Sequence, residues 1–409
     1  MIAWWSAAFY AVARGPRRRD STLLSIIGES IMLSRRRFVV ASSAALAVTP
    51  LITRALAAEE KKMTAFFGTY TGGKSEGIYS ASFDPATGKL GEPKLVGKSL
   101  QPSFLAIHPN KKFLYSCNET SDFAADKSGA ITAWSIGAEG ELKQLNQKSS
   151  AGAGPCHLVV DGEGKNVMAA NYGGGNVCVY ALNDDGSLGK QTAMMQHKGK
   201  RTHAHSINVD KANRFVFAAD LGLDKVMIYK FDAEQGTLAA NDPPAGLLPS
   251  GGGPRHFAFH PSGKYAYVNN ESLSSVTVFA YDAEKGTLSE LQTLSTLPQP
   301  VAGNSTAEVQ VHPTGKFVYV SNRGHNSIAI FQVDPSSGKL TAAGHQGTNV
   351  KVPRNFGIDP TGGWAVVCNQ ASDNVIVFKV DPATGALEPT DHKIEIGSPV
   401  CVKFLQPAA

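Results

Sequence analysis

Three kinds of side chain that can cooperate in water chemistry recur at matched positions along this 409-residue chain. Arg255, Arg323 and Arg354 offer planar donor forks that suit a carboxylate or phosphate. Glu271 and Glu308 could take a proton from water, and His157, His205 and His256 could shuttle protons near neutral pH. Attack on a lactone carbonyl needs an activated water, a donor for the developing oxyanion and a clamp for an anionic tail. This set can supply all three without a metal or cofactor. A blander reading stands beside it, in which Arg255 and Glu271 form an ion pair holding a hairpin end.

What must position these residues is a repeat. Seven times, about fifty residues apart, the chain spells strand, turn, strand and usually an Asn, as in Pro102–Glu119, Pro254–Glu271 and Pro353–Gln370. The turn position falls at Pro109, Gly162, Lys211, Pro261, Pro313, Pro360 and Gln406. Val/Ile/Phe/Tyr-rich runs alternate with Gly, Pro, Asp and Asn clusters, and no helical period follows Ala58. A unit of this length fits one four-stranded propeller blade, so the expected fold is all-β, a seven-bladed β-propeller. The last copy, from Pro399, has one strand, and Thr64–Tyr70 is an orphan strand at the other end. Pairing them closes the ring without an open edge.

The repeat also separates scaffold from chemistry. Nine residues after the turn position stand Asn118, Asn171, Asp220, Asn270, Asn322 and Asn369, a near-uniform column expected to close turns onto backbone. The next column reads Glu119, Tyr172, Leu221, Glu271, Arg323 and Gln370. Six residues before the turn position stand Ser103, Cys156, His205, Arg255, Ala307, Arg354 and Val400, followed by Phe104, His157, Ser206, His256, Glu308, Asn355 and Cys401. These variable columns should ring one mouth of the central channel, with Arg255 facing Asn270 and Glu271 across a hairpin. A ring of unlike residues on a seven-fold scaffold is where a site would be grafted.

Other features read as structure. His108, His260 and His312 sit in the turn tetrapeptide. His203-Ala-His205 puts two imidazoles on one strand face, without a third metal ligand at convincing spacing. Gly173–Gly175 and Gly251–Gly253 precede no helix and read as turns. The five Cys are scattered, with no CxxC pair, and fit buried positions in apolar strands.

The composition is globular, 42% hydrophobic and 18% charged. The formal charge of +5 arises in residues 1–57, which hold eight Arg and two acids; the rest is near neutral and offers no footprint for nucleic acid. Ser34-Arg-Arg-Arg-Phe38 precedes a small-residue apolar run and then Ala55-Leu-Ala57, a pattern similar to a twin-arginine export signal with a cleavage site. Residues 1–57 are therefore expected to be a leader, with Met32 an alternative start, and 58–409 a single propeller domain. The expected location is periplasmic or otherwise extracytoplasmic, with no stable membrane insertion after cleavage.

The stretch Gly253-Pro-Arg-His-Phe-x-Phe-His-Pro-x-x-x-Tyr-x-Tyr-x-x-Asn-Glu271 resembles the signature of the seven-bladed propeller lactonases. That family includes 6-phosphogluconolactonases and carboxymuconate lactonising enzymes. Gly154-Pro-Cys-His157, His205-Ser206, the block from His312 to Arg323 and Pro353-Arg354 are similar to it too. The resemblance covers residues 64–405 and implies a site of His205, Arg255, Glu271 and Arg323, with His157 the alternative His. His157, His256, Glu308, Arg354, Asn355 and Gln370 are then expected to line the substrate, a small lactone or anionic sugar acid. Export would separate the chain from 6-phosphogluconolactone, a cytosolic intermediate. The rival classes are a lactonising cycloisomerase, a metal-dependent propeller lactonase and a non-catalytic binding propeller.

Overall fold

The structure, a computed structural model, describes residues 62–123 and 125–407. Residues 1–57, with the arginine motif and Met32, lie outside the described residues. Among the described residues, twenty-eight strands, β1 (Met63–Thr69) to β28 (Pro399–Leu405), form seven four-stranded antiparallel sheets. Six blades are continuous in sequence, spanning residues 105–149, 155–196, 204–247, 254–295, 305–346 and 353–395. The seventh has the order β28-β1-β2-β3, with β2 at Gly77–Phe83 and β3 at Lys94–Lys98, so the C-terminal strand is its innermost and pairs antiparallel with β1. The orphan strand and the truncated seventh copy meet as expected.

The uniform columns of the repeat turn out to be latches between blades. His108, His260 and His312 each direct Nε2 at the carbonyl of a Gly in the next blade's turn: Gly164 at 2.8 Å, Gly315 at 2.9 Å and Gly362 at 2.9 Å. Tyr115, Tyr267 and Tyr319 donate their hydroxyls to Gly186, Gly338 and Gly385, again one blade on. Gly338 cannot carry a side chain there: φ is +70°, and a Cβ would lie 2.4 Å from the Tyr265 ring. The Asn column closes turns onto backbone, as with Asn171 Nδ2 on Ser150 O at 2.8 Å and Asn322 Nδ2 on Thr296 O at 2.9 Å. Where the column holds Asp220, its Oδ1 accepts the N–H groups of His203, Gly222 and Leu223. Between the blades the core is aliphatic and aromatic, and all five Cys are buried and free.

One feature of the innermost strands is absent from the repeat's alternation. In six blades the register slips by one residue near the start of the innermost strand, a β-bulge. The slip falls at Cys156, His205, Arg255–His256, Ala307–Glu308, Arg354 and Val400, which is where the variable columns lie. A bulge strands a backbone N–H, and side chains of the second strand capture it. His256 N donates to Asn269 Oδ1 at 3.0 Å, and Glu308 N to Ser321 Oγ at 2.9 Å. Two consecutive side chains can thereby turn away from the ladder at the same height in successive blades.

Candidate active site

The bulges sort the candidate residues into two tiers instead of one ring. The upper tier faces the mouth and centres on Glu271. Its Oε1 lies 2.8 Å from Arg323 Nη2, and its Oε2 lies 2.9 Å from Arg255 Nε, off the N–H axis. One carboxylate thus bridges two guanidinium groups. Arg255 faces Glu271 as anticipated, but from within a bulge, where Pro254 and not Arg255 is the partner of Asn270. Arg323 Nη2 is also held by Thr306 O at 3.0 Å. Arg255 is 2% exposed, whereas the Glu271 side chain is 25% exposed and open to water. Among the described residues, no protein atom accepts a hydrogen bond from Arg255 Nη2 or Arg323 Nη1, which leaves donors for a ligand.

Across the mouth, Arg354 lies over the Tyr70 ring at 5.1 Å, and Tyr70 donates its hydroxyl to both oxygens of Glu119 at 3.0 and 2.9 Å. Burial, with Glu119 adding to it, raises the Tyr70 phenol's pKa, so it remains a donor. Glu119 stood in a column expected to ring the mouth but was given no role in the site, and Tyr70 was not anticipated there at all. Both were within reach of the repeat: Glu119 shares the column of Glu271, and Tyr70 holds that place in the divided blade, since Tyr70 N bonds Ser398 O as Glu271 N bonds Gly253 O. Gln370 N makes the equivalent bond to Val352 O, and its side chain is half-buried. Three guanidiniums (Arg255, Arg323, Arg354) face two carboxylates (Glu119, Glu271), a one-charge surplus that favours an anion.

The lower tier is buried and largely neutral. His205 touches the Tyr172 and His256 rings at 5.4 Å, and its Nδ1 is 3.6 Å from Cys156 Sγ. His157 packs on Phe104 at 4.1 Å and on His256 at 5.2 Å. Burial, then neighbouring positive groups, holds all three imidazoles well below the ordinary histidine value. His256 Nδ1 lies 2.9 Å from Glu308 Oε2, which also accepts from Asn355 Nδ2, while Glu308 Oε1 accepts from Gln310 at 2.8 Å. Burial raises the Glu308 pKa, opposed by Lys403 and by the Gln310 hydrogen bond. His157, His256 and Glu308 also roof a channel cavity of about 340 Å³ below them, where Lys403 stands 4.5 Å from the Phe104 ring. His157, His256, Glu308 and Asn355, expected to line the substrate, therefore sit beneath the upper tier, each no more than 8% exposed.

The His203–His205 pair does not converge. His203 stacks on Tyr172 at the surface while His205 points into the lower tier. Among the described residues, no group of three or more His, Cys, Asp or Glu side chains is arranged to hold a metal.

The neutral imidazoles have a consequence for stability. His157, His205 and His256 bind protons less readily folded than unfolded, so the stability they support is present above the ordinary histidine value near 6.5 and is lost as pH falls through it. The slope is at most about 1.4 kcal/mol per pH unit for each histidine. Glu308, shifted up, acts with the opposite sign: its contribution is present at acid pH and fades as pH rises above the carboxylate range. Calorimetry is expected to give a Tm several degrees lower at pH 5.5 than at pH 7.5, with a smaller drop in His157→Gln. Equal Tm values would contradict neutral burial of these rings.

Residues 64–404 match the family model described as lactonase, 7-bladed beta-propeller. The chain belongs to the seven-bladed β-propeller lactonase family. A 6-phosphogluconolactonase of Bacillus subtilis is 38% identical over 353 residues, which is 84% of this chain and 99% of that one. Among solved structures, a putative 6-phosphogluconolactonase of Bacteroides fragilis superposes with a TM-score of 0.78 at 33% identity, covering 85% of this chain and 99% of its own. A periplasmic gluconolactonase of Pseudomonas aeruginosa gives a TM-score of 0.79 at 32% identity, covering 85% and 100%. The protein is thus a 6-phosphogluconolactonase-like member of the lactonase family.

Proposed function

We propose that the protein hydrolyses an aldonolactone at the upper tier, with Glu271 as the base. The observation that carries this reading is the water-open carboxylate of Glu271 set between two guanidiniums that retain free donors. A water gives its proton to Glu271 and its oxygen adds to the lactone carbonyl carbon. The resulting oxyanion is met by the free donors of Arg255 or Arg323. Collapse breaks the ring C–O bond, and the proton held by Glu271 passes to the departing ring oxygen, leaving an open-chain carboxylic acid that loses its proton to water. His205 is a buried wall of the site beside Arg255, and the Arg354–Tyr70–Glu119 group on the far side offers polar groups for the substrate's hydroxyls and for an anionic end where it has one.

The twin-arginine-like leader supports export, and the Pseudomonas relative described as a periplasmic gluconolactonase supports the same location for a chain of this fold. Both favour an unphosphorylated sugar lactone or its acid as the substrate met outside the cytoplasm. A panel on the mature chain tests the whole reading: glucono-δ-lactone, 6-phosphogluconolactone and a carboxymuconate, each with and without chelator. Lactone hydrolysis above the spontaneous rate, unaffected by chelator and reduced by about 10²-fold or more in Arg255→Ala, is the expected outcome. Turnover of the muconate alone would replace hydrolysis with cycloisomerisation. Loss of rate with chelator would assign the chemistry to a metal, and no turnover of any substrate would leave a binding propeller.

A further inference from the structure

Arg255 spends one of its terminal nitrogens on the protein, and the partners of that nitrogen are unusual. Arg255 Nη1 donates to Ala307 O and lies 3.1 Å from His256 Nε2. A guanidinium carries donors only, so His256 Nε2 must present its lone pair. The proton of the neutral ring then sits on Nδ1, 2.9 Å from Glu308 Oε2. Glu308 is built to accept it. Asn355, whose Oδ1 is taken by Val402 N at 3.0 Å, turns its Nδ2 toward the same oxygen, and Gln310 donates to the other. Every group in this chain has one compatible donor–acceptor orientation, running from Asn355 and Gln310 through Glu308 and His256 to Arg255. Hydrogen bonds behind a ring nitrogen set which of its two nitrogens can accept.

We propose that Glu308 and His256 are a positioning pair for Arg255, fixing the imidazole tautomer so that Nε2 anchors Nη1 and leaves the Nε and Nη2 edge toward Glu271 and the substrate. Neither residue touches substrate; both lie in the tier below it. A protonated or flipped His256 would set a donor against a donor and turn the guanidinium away from Glu271. Bulging of β16 (Pro254–Phe259) and β20 (Ser305–Val311) makes the arrangement possible, because it brings Arg255 and His256, neighbours in sequence, onto the same hydrogen-bonded chain. The proposal rests on the reading of Arg255 as part of the catalytic site.

The test combines a direct and a kinetic readout. Long-range 1H–15N correlation spectra of the native protein, with the His256 signals identified by their loss in His256→Phe, should show the Nδ1–H tautomer at neutral pH. Glu308→Leu should abolish that signature. An Nε2–H tautomer in the native protein overturns the proposal. In kinetics, His256→Phe and Glu308→Leu should each lower kcat/KM by about tenfold or more. His256→Gln, which keeps an acceptor near the position of Nε2, should recover most of the loss. Glu308→Gln should stay within about threefold of native, since its carbonyl can accept from His256 and Asn355 while Gln310 flips its amide. In an Arg255→Lys background, His256→Phe should change the remaining rate by less than about twofold, because the pair acts through the guanidinium. The same fold-loss in both backgrounds would overturn the proposal and leave a merely structural role. Should His256→Phe fail to fold, the Glu308→Leu and Glu308→Gln pair measured in both backgrounds decides the question. Native-like rates in Arg255→Ala would refute the site itself. An inactive Arg255→Ala beside a native-like His256→Phe would refute only the pair.

Discussion

Glu271→Gln is expected to lower kcat for lactone hydrolysis by about 10²-fold or more without raising KM for an anionic lactone. The substitution keeps the size of the side chain and removes its charge and basicity. Water then has no acceptor for its proton, and the ring oxygen has no acid to receive one. At the same time Arg255 and Arg323 lose the carboxylate they share, at 2.9 and 2.8 Å, and the mouth becomes more positive. An anionic ligand should bind as well as before or better, so the loss appears in kcat. Initial rates and calorimetric binding of the aldonate product separate the two effects. Stability should fall as well, by up to about 3–5 kcal/mol, because Arg255 is 2% exposed and the amide leaves its buried charge unpaired. A variant with near-native kcat would remove Glu271 from the mechanism.

Deleting residues 399–409 is expected to abolish cooperative folding altogether. β28 supplies the innermost strand of the blade that joins the two chain ends. Its Val400, Cys401 and Val402 are at most 3% exposed, and its ladder to β1 runs from Thr64–Leu405 to Thr69–Pro399. Without it, β1 presents an unpaired inner edge, and Asn355 loses the Val402 N–H that orients its amide. Burying three such side chains contributes about 5–8 kcal/mol by itself, comparable with the whole net stability of a domain. Soluble expression and a calorimetric transition measure the effect. A truncated chain that melts with native cooperativity would show that six blades hold the ring without the closing strand.

The propeller was legible because its scaffold residues are periodic. Asn closes the turn, His and Tyr reach the next blade's Gly, and each repeats at the spacing of the blade. The meeting of Arg255, Glu271 and Arg323 was legible for the opposite reason, since they break the period at columns that share a hairpin end. What the residues did not reveal is the bulge. The Pro that precedes it in four blades (Pro155, Pro254, Pro353 and Pro399) reads equally as the first residue of a strand, and the bulge is stabilised by Asn269 and Ser321, which lie on the neighbouring strand. Strict alternation therefore set His157, His256, Glu308 and Asn355 in one ring with Glu271, whereas the extra residue drops them a layer deeper. Tyr70 escaped notice because its blade is split between the chain ends and has no complete copy to align.

The divided blade also sets a timetable for synthesis. β1 leaves the ribosome early, and its partner β28 follows about 330 residues later. At about 5–20 residues per second the wait is roughly 15–70 s. Throughout it, the segment Met63-Thr-Ala-Phe-Phe-Gly-Thr69 is an apolar strand edge of the kind that recruits other chains into sheets. The residues just before it are Glu59, Glu60, Lys61 and Lys62, four consecutive charges. Charges flanking a hydrophobic strand act as gatekeepers against intermolecular pairing.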